Sequence, residues 1–197
     1  MLKLLTTLAS LAFTAQAGRP FGLAKHLTNG ADDVIMPPRA DNSTYGNTEE
    51  IHTVHLDLNL TVDFNTTTLS GSAVHKMMVL QATNKVQFDI WDLDIHRVFN
   101  ASSQTIINSL NFTILQPNPL IGSVLQVTLP REVQVGETVH IGIEYTTGPK
   151  GQAFSWLKAS QTAGGKLPYM FTQCEDINCR SVAPLQDTPS NRITYSA

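Results

Sequence analysis

Between Val54 and Phe64 every second residue is apolar: Val54, Leu56, Leu58, Leu60, Val62 and Phe64. A repeat of two over that length fits an extended strand with one face buried and the other in water. The same alternation returns at Val86, Phe88 and Ile90, at Leu110, Phe112 and Ile114, at Leu125, Val127 and Leu129, and at Val139, Ile141, Ile143 and Tyr145. Ala73–Leu80 reads as the strand returning from a turn at Thr66–Gly71, and Ile95–Phe99 as a further short strand. Pro117-Asn118-Pro119 breaks the chain, Pro130 stops the strand before it, and Gly148-Pro149 closes the series. Turn signals at intervals of roughly ten residues, with no long amphipathic helix between them, predict an all-β fold: a mostly antiparallel β-sandwich or barrel-like sheet.

Composition narrows what such a fold can do. The 197 residues suffice for one sizeable core. The formal net charge is -3, so no basic surplus exists to hold nucleic acid. Charged residues make up 15%, against about 25% in an ordinary soluble domain, and Thr, Ser, Asn and Gln fill the gap. No apolar run reaches the roughly 18 residues a spanning helix needs, so no membrane span is predicted in the mature chain.

Residues 1–17 read as a secretory signal peptide. Lys3 supplies a positive start, Leu4–Phe13 is mostly apolar, and Ala15-Gln16-Ala17 is a small-x-small cleavage site between Ala17 and Gly18. Residues 18–48, with Asp32-Asp33 and Pro37-Pro38, read as a flexible leader, and 49–197 as the β domain. Five N-x-S/T sequons, at Asn42, Asn59, Asn65, Asn100 and Asn111, fit a secreted, extracellular glycoprotein. Each falls on a wet strand face, a strand end or a loop, where a glycan costs the core nothing.

Chemistry is harder to find. Six histidines are scattered at positions 26, 52, 55, 75, 96 and 140. His52 and His55 suggest a metal pair, but an odd separation on a regular strand puts them on opposite faces. The sequence contains no H-E-x-x-H, P-loop, G-x-S-x-G or G-x-G-x-x-G. The only cysteines, Cys174 and Cys179, could close a small loop, although a regular helix there would hold them too far apart. Free buried thiols are weighed slightly above a disulfide. By composition alone, Gln173 and Glu175 would be ordinary surface residues.

The run Phe171-Thr172-Gln173-Cys174-Glu175, then Arg180, then Pro184-Leu185-Gln186-Asp187-Thr188-Pro189-Ser190, resembles the N-terminal domain of the gluzincin zinc aminopeptidases, most closely the branch of leukotriene A-4 hydrolase. Ala153–Leu157 and Leu58–Gly71 resemble further segments of that domain, so the resemblance covers Ile51–Ala197. It implies a saddle-like, mostly antiparallel β domain that docks on a thermolysin-like catalytic domain. It also implies that residues matching Gln173 and Glu175 reach into the shared cleft, the second binding the free α-amino group of a peptide. That branch usually carries Gln at the second position; Glu175 tilts this chain toward amine recognition and away from a lipid epoxide.

The resemblance places zinc and the general base in a catalytic domain, on motifs that do not occur in these 197 residues. Arg192–Ala197 reads as a strand that stops, so the chain looks like an N-terminal portion, inactive by itself. Its expected catalytic and metal residues are therefore none. It needs no cofactor of its own, and peptide N-termini become its partner only when a catalytic domain completes it. The alternative is a non-enzymatic secreted β-sandwich binding module that docks on a full-length peptidase.

Overall fold

The computed structural model describes residues 41–102, 108–118 and 120–197. The expected signal peptide, most of the expected leader and His26 lie outside them. The expected all-β, mostly antiparallel sandwich is found. One sheet has six strands in the order β11 (Thr194–Ser196), β1 (Ile51–Asp63), β2 (Thr68–Val79), β8 (Thr138–Thr147), β4 (Leu93–Asn100) and β5 (Asn108–Ser109). A three-stranded sheet holds β3 (Thr83–Ile90), β7 (Gly122–Val133) and β6 (Asn111–Asn118). A hairpin of β9 (Phe154–Leu157) and β10 (Tyr169–Thr172) stands apart. Among the described residues only the β1–β11 pairing is parallel. Among the described residues, no helix is long and apolar enough to cross a membrane.

The alternation seen in sequence builds the core. Ala73, Met77 and Val79 of β2 and Ile141, Ile143 and Tyr145 of β8 face Val86 and Phe88 of β3 and Leu125 and Val127 of β7. All ten are 0–1% exposed. The His75 and Phe88 rings meet across the two sheets at 4.6 Å. Gly71 lies where a Cβ would fall 1.9 Å from the Asn59 carbonyl oxygen, so the β1–β2 approach permits only hydrogen there.

Three local expectations are corrected. A bulge at Val54 shifts the β1–β2 register between Thr53 and His55. The inward face therefore runs Ile51, Thr53, then Leu56, and Val54 leaves the core pattern. Val62 and Phe64 run past the core and are 39% and 42% exposed. Pro130 does not stop β7: it falls inside a register shift between β3 and β7, where its missing N–H interrupts no regular ladder.

Residues 41–48 are not a loose leader end. The Asn47 side chain accepts from Gln87 N at 2.9 Å and donates to the Lys85 carbonyl at 3.2 Å. Tyr45 N donates to Asp89 Oδ1 at 2.7 Å. From the same side Leu185 bridges Asp89. The segment and the Leu185 bridge thus cover the outer edge of β3.

His75 is fully enclosed between the sheets. Its Nε2 lies 3.1 Å from the Pro184 carbonyl, which can only accept, so Nε2 carries the proton. Nδ1 then accepts from the Thr53 hydroxyl at 3.1 Å. Burial pushes its pKa from 6.5 down to about 4. The unfolded chain therefore takes up this proton first as pH falls. Stability is complete above about pH 6.5 and declines toward pH 4, by roughly 3 kcal/mol for this group. Urea denaturation at pH 7 and pH 4 should show that loss in the wild type and a smaller one in His75→Gln; equal losses would exclude His75 as the source.

Candidate functional site

The β9–β10 hairpin leads into the segment that carries Gln173 and Glu175. Thr172 pairs with Phe154, and Gln173 N extends the ladder by one bond to the Ala153 carbonyl at 2.8 Å. The chain then leaves the hairpin as a tight loop. Cys174 and Cys179 are joined by a disulfide with their Cα atoms 4.6 Å apart, which corrects the slight preference for free thiols. The chain between them avoids a regular helix, so the spacing that would keep the α-carbons apart does not arise. Asn178 N donates to the Cys174 carbonyl at 2.8 Å, and the Asn178 side chain donates to the Glu175 carbonyl at 3.0 Å. The Glu175–Asp176 peptide is cis.

Gln173, Glu175 and Asp176 are all exposed. Among the described residues the side chains of Gln173, Glu175 and Asp176 make no salt bridge or hydrogen bond. The loop therefore displays a carboxamide and two carboxylates whose polar atoms are free to meet a ligand. The surroundings are apolar. Tyr169 and Phe171 stack at 6.2 Å while 56% and 43% exposed, and Leu167 is 75% exposed. Phe64 meets Trp156 edge-on at 5.7 Å, linking the end of β1 to the hairpin.

The other end of the loop is held by a network that the motif did not reveal. Arg180 follows Cys179 and is buried, its side chain 2% exposed. Its Nε donates to Asp187 Oδ2 at 3.1 Å. Nη1 donates to the Ile121 carbonyl at 2.6 Å and lies 3.5 Å from Asp89 Oδ1. Nη2 donates to the Ser43 and Asp187 carbonyls, both at 2.9 Å. Asp89 also accepts from Asp187 N at 2.9 Å and from the Thr44 hydroxyl. Burial pushes the Asp89 carboxyl upward, and Arg180 opposes that shift. Nearby, the Gln186 side chain donates to the Ile51 carbonyl at 2.8 Å and accepts from Thr53 N at 2.9 Å. Thr188 Oγ1 donates to Asp41 Oδ2 at 2.7 Å. The Gln-Asp-Thr part of the motif is thus structural. No local signal marked it, because Asp89 sits at a wet position of the Val86, Phe88, Ile90 alternation.

The histidines do not assemble into a site. Because of the Val54 bulge, His52 pairs with Met78 and His55 with Lys76, so both lie on the outer face of β1, against the sequence expectation. His52 is buried, its pKa lowered by that burial, and its Nε2 lacks a partner. His55 is spent on Thr194 and Asp57. His96 bonds the Thr146 hydroxyl at 2.8 Å. Among the described residues no three His, Cys, Asp or Glu side chains converge, so they do not fit a zinc ion. Of the sequons, Asn42, Asn59, Asn65 and Asn111 are exposed, and Asn100 is half-buried, its Oδ1 accepting from Ser102 N at 2.9 Å.

A family model described as the Peptidase M1 N-terminal domain matches residues 52–197. The chain belongs to this family. It is 35% identical over 158 residues to leukotriene A-4 hydrolase of Xenopus laevis, covering 79% of this chain and 25% of that protein. It is also 35% identical over 158 residues to leucine aminopeptidase 2 of Yarrowia lipolytica, covering 80% of this chain and 23% of that protein. Among solved structures, yeast LTA4 hydrolase in complex with bestatin superposes with a TM-score of 0.71 at 32% identity, over 82% of this chain and 24% of that one. An M1 zinc metallopeptidase from Deinococcus radiodurans shares the fold, with a TM-score of 0.57 at 22% identity over 78% of this chain and 33% of that one. The chain spans about a quarter of the length of the curated relatives named here.

The two halves of the motif should respond differently to mutation. Arg180→Ala leaves Asp89 and Asp187 facing an unfilled buried site and should cost about 3–5 kcal/mol. Glu175→Gln, on an exposed side chain, should change stability by about 0.5 kcal/mol or less. Chemical denaturation checks both; a large loss in Glu175→Gln would show that Glu175 is a structural residue.

Proposed function

We propose that this chain is the substrate-positioning N-terminal domain of a secreted protein of zinc-aminopeptidase type, with Gln173 and Glu175 as its contribution to the substrate site. The carrying observation is the pair itself: within a Peptidase M1 N-terminal domain, the Gln173 and Glu175 side chains are exposed and unpaired, the first at the base of a covalently closed loop and the second on it. The names of the relatives, a leukotriene hydrolase and a leucine aminopeptidase, support the class. An exopeptidase must tell a terminal ammonium from an internal amide. A carboxylate does so through a charge-assisted hydrogen bond, worth roughly 1.5–3 kcal/mol once shielded from water but about 0.2–1 kcal/mol when exposed. Glu175 gains its full value when a second wall covers it. The exposed Leu167, Tyr169 and Phe171 beside it suit packing against a zinc-bearing catalytic domain.

The hydrolytic step belongs to that domain, because water activation needs a metal and a base in register. The 197-residue chain should therefore not hydrolyse aminoacyl anilides with or without added zinc; zinc-dependent turnover by the pure chain would overturn the assignment. With the domain joined to a catalytic domain, Glu175→Ala should raise KM for peptides by about 10- to 100-fold, the equivalent of the shielded bond, and leave zinc content unchanged. An unchanged KM removes Glu175 from the site.

The same apolar hairpin supports a second reading, a non-enzymatic module that docks on a full-length peptidase. Sedimentation of a mixture with such a peptidase, with and without Phe171→Asp, separates this reading from the first. Secretion and glycosylation form part of the proposal, supported by residues 1–17 and the five sequons. Expression in a secreting eukaryotic host should release a chain into the medium that loses mass on treatment with an N-glycan amidase. A secreted chain whose mass does not change would remove the glycans.

A further inference from the structure

The Cys174–Cys179 disulfide lies inside the candidate site, not beside it. Cys174 separates Gln173 from Glu175, and Cys179 directly precedes the buried Arg180. Both ends of the loop are fixed: one by the Gln173 N bond to Ala153, the other by the Arg180 network. Between them the side chains of Glu175 and Asp176 are in water. Apart from the disulfide, two hydrogen bonds close the loop, both from Asn178. Both cysteines are half-buried.

We infer that the disulfide is a positioning element for Glu175: oxidised, it holds the backbone that carries the carboxylate in one geometry for a cationic peptide terminus, and reduced, it releases it. This rests on the substrate role proposed above for Glu175. A fixed anchor binds without first losing its own conformational freedom, whereas a free loop loses that freedom on each encounter. Reduction adds two electrons and two protons to the sulfur pair; a dithiol reagent supplies them and closes its own disulfide. The Arg180 network takes no part in that exchange, so loosening should stop at its edge. Peptide-terminus recognition would then be confined to oxidising compartments, where a disulfide of this kind persists.

The test uses the whole chain. Alkylation under denaturing conditions without reductant should label neither cysteine; two labels would overturn the inference at once. Amide hydrogen exchange should then be compared before and after dithiothreitol. The Asn178 amide, which donates to the Cys174 carbonyl, should exchange on the order of tenfold faster or more after reduction, those of 86–90 should stay unchanged, and reoxidation should restore the original rates. Equal rates in the loop, or loosening that spreads into 86–90, would overturn a local positioning role. For ligand binding the chain is joined to a catalytic domain that shields Glu175; leucinamide then serves as the amine probe, with N-acetyl-leucinamide as its control. In the oxidised chain leucinamide should shift the Glu175 amide resonance and the acetylated control should not; reduction should abolish the shift. A shift that survives reduction overturns the role of the disulfide alone. No shift in the oxidised chain, with loop exchange behaving as expected, overturns the substrate role of Glu175 on which the inference rests. Cys174→Ser with Cys179→Ser should reproduce the reduced behaviour, and the reduced wild type decides the matter should that variant fail to fold.

Discussion

A guanidinium enclosed by protein is the constraint around which this domain is arranged. A buried charge is tolerated only when it is paired and its donors are occupied. Arg180 meets that condition with two carboxylates and three carbonyls drawn from residue 43, residue 121, β3 and the loop at residue 187. Four stretches far apart in sequence must therefore converge before the charge can be enclosed. The pattern needs a planar fork, since donors leave Nε, Nη1 and Nη2 in different directions; a lysine ammonium offers a single point and could not reach them. The site loop inherits its placement from this network, because Cys179 is bonded directly to Arg180.

That arrangement separates what identifies the family from what could do chemistry. Asp187, Gln186 and Thr188 all point inward, to Arg180, to the β1 backbone and to Asp41. Gln173 and Glu175 point outward and are bonded through their backbones alone. Two segments a dozen residues apart thus face opposite physical demands. The inner one is fixed by the need to satisfy buried polar groups, and the outer one is free to vary with whatever approaches it.

What could be read from the sequence follows the same division. Strands β1, β3, β7 and β8 were legible because alternation reports directly which side of a sheet is dry. The bulge at Val54 was not, since one extra residue leaves no compositional mark yet inverts every side chain before it, and it reversed the expected relation of His52 to His55. The order of residues 41–48 was hidden because their bonds run to Asp89, Arg180 and Thr188, partners that no local pattern connects to them. Asp89 occupies what alternation marks as a wet position on β3 and is dry because another loop covers it. Gln173 and Glu175 came from resemblance alone, because an exposed carboxamide and an exposed carboxylate have no periodicity to betray them.

Exposure also sets how much chemistry the domain can supply. In open water the attraction of Glu175 for an ammonium is worth about 0.2–1 kcal/mol, which selects a peptide terminus over an internal amide by less than tenfold. A loop held at both ends and closed by a disulfide lowers the ordering cost of the contact without changing its solvent. On the proposed function, shielding would come from a surface that packs on Leu167, Tyr169 and Phe171 while leaving a channel to the carboxylate. A surface that excludes water from Glu175 strengthens the charge contact and buries these apolar side chains in the same step. On that proposal docking and recognition would be one energetic event, the apolar hairpin supplying the association and the carboxylate the choice of ligand.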